Sequence, residues 1–238
     1  MLPIDLPPQP ASFADSVPAI SITVAERAQA AVICARAHGA TVDKLAIFDA
    51  NKPASQRRFW LLDLRGPTPT LLLKEWVAHG SGSDPDRDGR AETFSDTDNS
   101  LMTSLGLYRV AEPYQGKWGL AWRLDGLTPG FNGHARQRAV VMHPASYVAP
   151  GSVGRSHGCP ALRPEATAKL EKLGMANTYL WIDSEGHGLE HSATLSCAQG
   201  KRWLAAQHER RTRSQAVAST WNLQSAYELS SRVCVRQV

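Results

Sequence analysis

No stretch of 18 consecutive apolar residues occurs in the 238-residue chain, so it holds no candidate transmembrane helix. The first twenty residues lack both the basic n-region and the apolar h-region of a secretory leader. That leaves two readings, a cytoplasmic protein or a chain whose leader was removed before this sequence begins. No internal repeat is visible, which excludes solenoid and propeller arrays. Charge of one sign is also scarce. The formal net charge is +4, spread thinly apart from the run ERRTR at 209–213, so no basic groove for nucleic acid is expected.

Cysteine is sparse as well, with four residues: Cys34, Cys159, Cys197 and Cys234. Cys34 falls inside a helical pattern and is expected as a buried free thiol. Cys197 and Cys234 bracket the C-terminal region and form a candidate disulfide if the protein is exported. Cys159 alone sits in a motif.

What the chain does have is apolar material for one large domain or two small ones, with 42% hydrophobic and 20% charged residues. Five prolines in residues 1–20 predict an extended arm. TVAERAQAAVICARAHGA then reads as a helix, with Thr23 and Glu26 at capping-box spacing and Gly39 at the C′ position. From residue 44 onward the apolar runs shorten: KLAIFD, RRFWLLDL, TLLLKEWVAHG, LGLYRV, GLAWRL, RAVVMH and TYLWID. These alternate with turn formers and predict a mostly antiparallel β domain, with one further helix from Pro164 to Leu173. Residues 190–238 are polar and Arg-rich, with a possible helix near AVASTWNLQSAYELSSR. The division expected is an extended arm over 1–20, a single mainly β domain over 21–189 and a peripheral extension over 190–238.

The chemistry concentrates in HPASYVAPGSVGRSHGCPALR, residues 143–163. Gly158 directly before Cys159 frees the backbone to aim successive amides at one point, the arrangement an oxyanion requires. A thiol also needs a base. His143 ends a strand-like run sixteen residues earlier, and the Pro144 carbonyl is placed to hold its Nδ1–H and leave Nε2 for the sulfur. Two other readings stand beside this one: an open His₂Cys zinc site using His143, His157 and Cys159, and a purely structural cysteine.

At this point HPASYV…GRSHGCPAL resembles the active-site signature of the murein L,D-transpeptidases, the YkuD-like cysteine enzymes of peptidoglycan, in the branch ending GCPAL. The resemblance extends over residues 44–183. It implies a mixed-sheet or β-sandwich domain with an N-terminal helix and a short helix after the cysteine. It implies Cys159 as nucleophile, His143 as general base, and Ser156, His157 and Gly158 with the Cys159 amide as the oxyanion hole. Pro144 departs from the glycine many relatives carry there, and the arginine common soon after the cysteine is absent at position 161. Arg155 or Arg163 is then the candidate for a substrate carboxylate. The implied reaction uses no cofactor. The thiolate attacks the diaminopimelate carbonyl of a tetrapeptide stem, expels D-alanine, and passes the acyl group to an amine or to water. Peptidoglycan stem peptides are the implied partner and the periplasm or cell exterior the implied location. A non-catalytic wall-binding module is the contrasting reading.

Three further features are candidates only. Asp84, Asp86, Asp88 and Glu92 have D-x-D-x-D-G-x-x-E spacing, which suits calcium but also describes a solvated acidic loop. His79 is a candidate for the cleft wall. Tyr108, Trp118, Trp122 and Phe131 either stack on sugar or fill the core.

Overall fold

The computed structural model describes residues 12–17 and 19–215. Its helices are α1 (Phe13–Ser16), α2 (Ile22–Ala37) and α3 (Pro164–Leu173), and residues 198–215 are also helical. Its strands are β1 (Lys44–Asp49), β2 (Phe59–Asp63), β3 (Thr70–Glu75), β4 (Val77–Ala78), β5 (Gly106–Gly116), β6 (Gly119–Gly126), β7 (Val141–Pro144), β8 (Val148–Ala149), β9 (Ser152–Val153), β10 (Ala161–Leu162) and β11 (Thr178–Asp183).

KLAIFD and TYLWID become β1 and β11, parallel neighbours paired from Lys44↔Thr178 to Asp49↔Asp183 and buried at every position. Strands covered on both faces read as continuous apolar runs, which is why neither alternates. Around them the sheet runs β3-β2-β1-β11-β5-β6-β7-β10-β4. All its pairings are antiparallel except β1–β11 and β7–β10, so the mainly β mixed-sheet expectation holds.

The run TLLLKEWVAHG is not one strand. It breaks at Trp76 into β3 and β4, which occupy opposite edges of the sheet. Laid flat, nine strands would separate those edges by about 38 Å. Two trans peptide steps span less than about 8 Å. The sheet therefore curls until its edges meet beside Trp76.

α2 packs against β11 and the C-terminal region, and buries Ala25, Ala28, Ala30 and Ala31 completely. Small side chains let it sit close on more than one side. The predicted capping box does not form, because the N-cap is Ser21 and Glu26 instead pairs with Arg211. Gly39 does take the left-handed conformation expected of C′. α3 spans its predicted residues, with Pro164 in its first turn. The arm expected to be extended contains α1, whose Phe13 is buried and whose first amide donates to Gln29 Oε1 at 3.0 Å.

The C-terminal extension holds the second correction. Cys34 is not a free thiol and Cys197 is not left for Cys234: Cys34 and Cys197 are joined, with Cα atoms 5.6 Å apart. Cys234 lies outside the described residues, as does the helix expected near AVASTWNLQSAYELSSR. The helix actually described, over 198–215, buries Gly200, Trp203 and Gln207 at helical spacing. A Cβ on Gly200 would stand 2.5 Å from Cys34 Sγ, so only glycine lets this helix approach α2 so closely.

The disulfide closes a sequence separation of 163 residues. Loop-entropy accounting for so long a loop puts its stabilisation at up to about 5 kcal/mol. The Cys34→Ser, Cys197→Ser double variant is expected to lose about 2–5 kcal/mol in chemical denaturation. Mass spectrometry of a non-reduced digest should link the Cys34 peptide to the Cys197 peptide. A Cys197–Cys234 link would overturn the pairing.

Candidate active site

β7 and β10 run parallel, with Ala161 opposite His143 and Leu162 opposite Pro144. This pairing folds the loop between them back on itself and brings Cys159 alongside the start of β7. The Val141 amide lies 3.5 Å from Cys159 Sγ and donates to it. Residues 141 and 143 project to the same face of a strand. The sulfur thus lies at the residue two before His143, and both side chains line one cavity of about 410 Å³.

The Nδ1 contact that the sequence suggested is present. His143 Nδ1 lies 2.9 Å from the Pro144 carbonyl. A carbonyl only accepts, so Nδ1 carries the proton and Nε2 offers its lone pair. Burial lowers the pKa of His143 from the usual 6.5, opposed in part by this hydrogen bond. Burial raises the Cys159 thiol, against the pull of the Val141 amide and the Arg138 charge. Both shifts favour a neutral imidazole and a protonated thiol over an ion pair.

The turn before Cys159 is held from both sides. Ser156 N–H donates to the His79 carbonyl at 2.8 Å, and Ser81 N–H donates to the Ser156 carbonyl at 2.7 Å. Within the turn, Ser156 Oγ donates to the Cys159 carbonyl at 2.6 Å and accepts from Gly158 N–H at 3.1 Å. The amides of Ser156 and Gly158 are therefore engaged, which corrects the expectation that both line an oxyanion hole. Among the described residues no acceptor bonds the amides of His157 and Cys159, and these two residues line the cavity.

The remaining candidates divide. Arg155 lines the cavity, and its Nη1 donates to the Asp84 carbonyl at 2.6 Å. Arg163 does not reach it, because Glu75 binds it through both carboxylate oxygens, at 2.7 and 2.8 Å from Nη2, and Trp76 stacks beside it. His79 is not a cleft residue either. It is fully buried, accepting at Nδ1 from Arg58 and donating from Nε2 to Asp84. Burial and the adjacent Arg58 charge lower its pKa to about 4. Tyr108 and Trp122 are core, and Phe131 packs against the core. Trp118, 65% exposed at the β5–β6 turn, lines the cavity. The zinc reading finds no support in geometry: among the described residues, ligand atoms of His143, His157 and Cys159 do not gather within 4.8 Å of one another.

Sequence reasoning missed Arg138. Its buried guanidinium donates to Ser95 O, Ser100 Oγ, Ser104 Oγ and Met102 O, which ties the 95–104 loop behind Gly158. The signal was an arginine opening the apolar run RAVVMH, a position where a free charge would be costly.

Gly158 has φ +113°, and a Cβ there would stand 2.7 Å from the Met102 carbonyl oxygen. Gly158→Ala is therefore expected to destabilise the fold by on the order of 2 kcal/mol or more, measured by urea denaturation. It should also change the alkylation rate of Cys159. Parent-like stability would refute the strain argument.

A search of curated protein sequences found no match. Similar solved structures include an L,D-transpeptidase from Mycobacterium smegmatis, at 15% identity over 60% of this chain and 59% of that one, with TM-score 0.38. Another, from Stackebrandtia nassauensis, is 14% identical over 70% and 67%, with TM-score 0.36. L,D-transpeptidase 3 from Mycobacterium tuberculosis is 13% identical over 60% and 61%, with TM-score 0.37. The chain thus spans about three-fifths of the length of the first of these relatives. The family model for the L,D-transpeptidase catalytic domain matches residues 17–182, well over half of the chain, and the protein belongs to that family.

Proposed function

We propose that the protein is a cysteine L,D-transpeptidase acting on peptidoglycan tetrapeptide stems. The observation that carries the reading is the placement of Cys159 Sγ at the Val141 amide, on the same strand face as an imidazole whose Nδ1 is tied to Pro144 O. Substrate binding brings the diaminopimelate carbonyl to the sulfur. His143 Nε2 takes the thiol proton as the S–C bond forms, and the amides of His157 and Cys159 receive the developing oxyanion. The imidazolium then returns the proton to the nitrogen of D-alanine as the C–N bond breaks, leaving a thioester. An acceptor amine attacks the thioester, His143 again takes and returns the proton, and the new amide leaves with Cys159 restored.

Water in place of the amine would make the enzyme an L,D-carboxypeptidase, the second reading of the same bond. The non-catalytic wall-binding module fits less well, since a chain that only bound peptidoglycan would have no use for an oriented imidazole beside a sulfur. Arg155 is the candidate for a substrate carboxylate. The Cys34–Cys197 disulfide supports work in an oxidising compartment, hence the periplasm or cell exterior. Among the described residues no helix is long and apolar enough to cross a membrane.

Purified muropeptides followed by mass spectrometry test the reading. A cross-linked dimer marks the transferase and a tripeptide with free D-alanine the carboxypeptidase, while unchanged substrate would sink both. Cys159→Ala should abolish thioester formation, and His143→Ala should cost about 10²-fold or more in kcat/KM. Because burial lowers the His143 pKa, the base stays neutral at pH values where an ordinary histidine would protonate. The acid limb of kcat/KM should accordingly lie below 6.5. An acid limb at or above that value would contradict the lowered imidazole pKa.

A further inference from the structure

The acidic loop that follows His79 is not simply a solvated charge run. Asp84, Asp86 and Asp88 each present a carboxylate oxygen, all three within 4.8 Å of one another. Gly89, at the sixth position of the run, has φ +85°, the sharp turn that a D-x-D-x-D-G cation loop makes there. Glu92 follows at the ninth position of the run.

A second observation concerns the buried member of this cluster. Asp84 is almost fully buried, and its two carboxylate oxygens are treated differently. A guanidinium only donates, so Arg58, 2.6 Å from His79 Nδ1, forces that nitrogen to accept and places the ring proton on Nε2. Nε2–H then donates to Asp84 Oδ2 at 3.3 Å. Asp84 Oδ1 is buried with no hydrogen-bond partner. A carboxylate oxygen left without a hydrogen bond at such depth costs free energy, and the Arg155 contact, 4.0 Å to Oδ2, does not supply one. A cation between Oδ1 and the neighbouring carboxylates supplies what is lacking, while His79 acts as the outer hydrogen bond that orients a metal-binding carboxylate.

We propose that residues 84–92 form a calcium site, with Asp84, Asp86, Asp88 and Glu92 as ligands. Oxygen donors on an open loop match calcium, which tolerates irregular geometry, better than magnesium, which demands a tight octahedron and sheds water reluctantly. The site abuts the active-site cavity. Arg155, which lines that cavity, donates to the Asp84 carbonyl, and the His79 carbonyl receives the Ser156 amide. Occupancy thus stiffens the loop on which Arg155 and the turn before Cys159 both rest.

Isothermal titration of the chelator-treated full chain with calcium chloride tests this. The expected result is one site with a dissociation constant of about 10⁻⁴–10⁻³ M, the range of extracellular calcium modules, and at least tenfold weaker binding of magnesium. Calcium at 10 mM should raise the melting temperature by a few degrees. Asp86→Asn with Asp88→Asn, both at exposed positions, should abolish the heat and the shift. That variant should retain the parent circular dichroism and, in chelator, the parent alkylation rate of Cys159. Absence of heat and shift at 10 mM calcium would overturn the proposal, and so would undiminished binding in the double variant. Neither outcome depends on turnover of peptidoglycan.

Discussion

The pair of hydrogen bonds that Ser156 makes to the backbone of His79 and Ser81 carries the architecture of the site. Its amide donates to one residue and its carbonyl accepts from the other, so the turn is clipped to the end of β4 as an isolated parallel bridge. That clip, with the β7–β10 pairing, leaves little freedom for the three residues in between. Gly80 and Gly158 are then forced together, since a Cβ on Gly80 would lie 2.8 Å from the Gly158 Cα. Two amides are consumed in building the turn, and those of His157 and Cys159 remain for a ligand. The number of free donors therefore follows from how the loop is anchored rather than from its composition.

The electrostatics follow from the same enclosure. Burial pushes the thiol pKa up and the imidazole pKa down, and both shifts favour the uncharged forms. A resting thiolate–imidazolium pair at this depth would have to repay the desolvation of two ions, a debt such pairs often fail to meet. The site supplies a fixed surround instead: one backbone N–H on the sulfur and one guanidinium behind Gly158. Arg138 is itself buried, held by carbonyl and hydroxyl acceptors and paired with Asp96 at 3.4 Å. Arg58 shows the same economy on the other side of the clip. Its guanidinium binds Lys52 O, Val77 O and His79 Nδ1, and burial lowers its pKa to about 9.

Local pattern revealed what local physics decides. Continuous apolar runs became the buried central strands, Pro164 opened α3, and a strand-ending histidine before proline found its carbonyl. What stayed hidden depends on pairing across long separations. Nothing in the sequence around Cys34 distinguishes Cys197 from Cys234, since the choice depends on a helix lying against α2. TLLLKEWVAHG looks uniform, yet Trp76 divides it between opposite edges of the sheet because curvature is a property of all nine strands. The oxyanion donors were misread for a related reason. A run of amides shows how many N–H groups exist, whereas only the anchoring to residues 79 and 81 shows which are already spent.

The curl also explains why Arg163, a candidate for a substrate carboxylate, is engaged elsewhere. Where the sheet closes, the end of β3 and the start of β4 must hold the ends of β2 and β10 together with no intervening loop. Arg163, just past β10, reaches across to Glu75 at the end of β3, and Arg58, just before β2, binds the carbonyl of Val77 in β4. Arg57 and Arg163 both lie over the Trp76 ring between them. The seam is thus closed by guanidinium groups that satisfy carbonyls and a carboxylate where ordinary ladder pairing ends. Since β4 continues directly into His79 and Gly80, any loosening of this seam moves the residues that clip the turn before Cys159. Arg163 helps close the sheet that carries these residues.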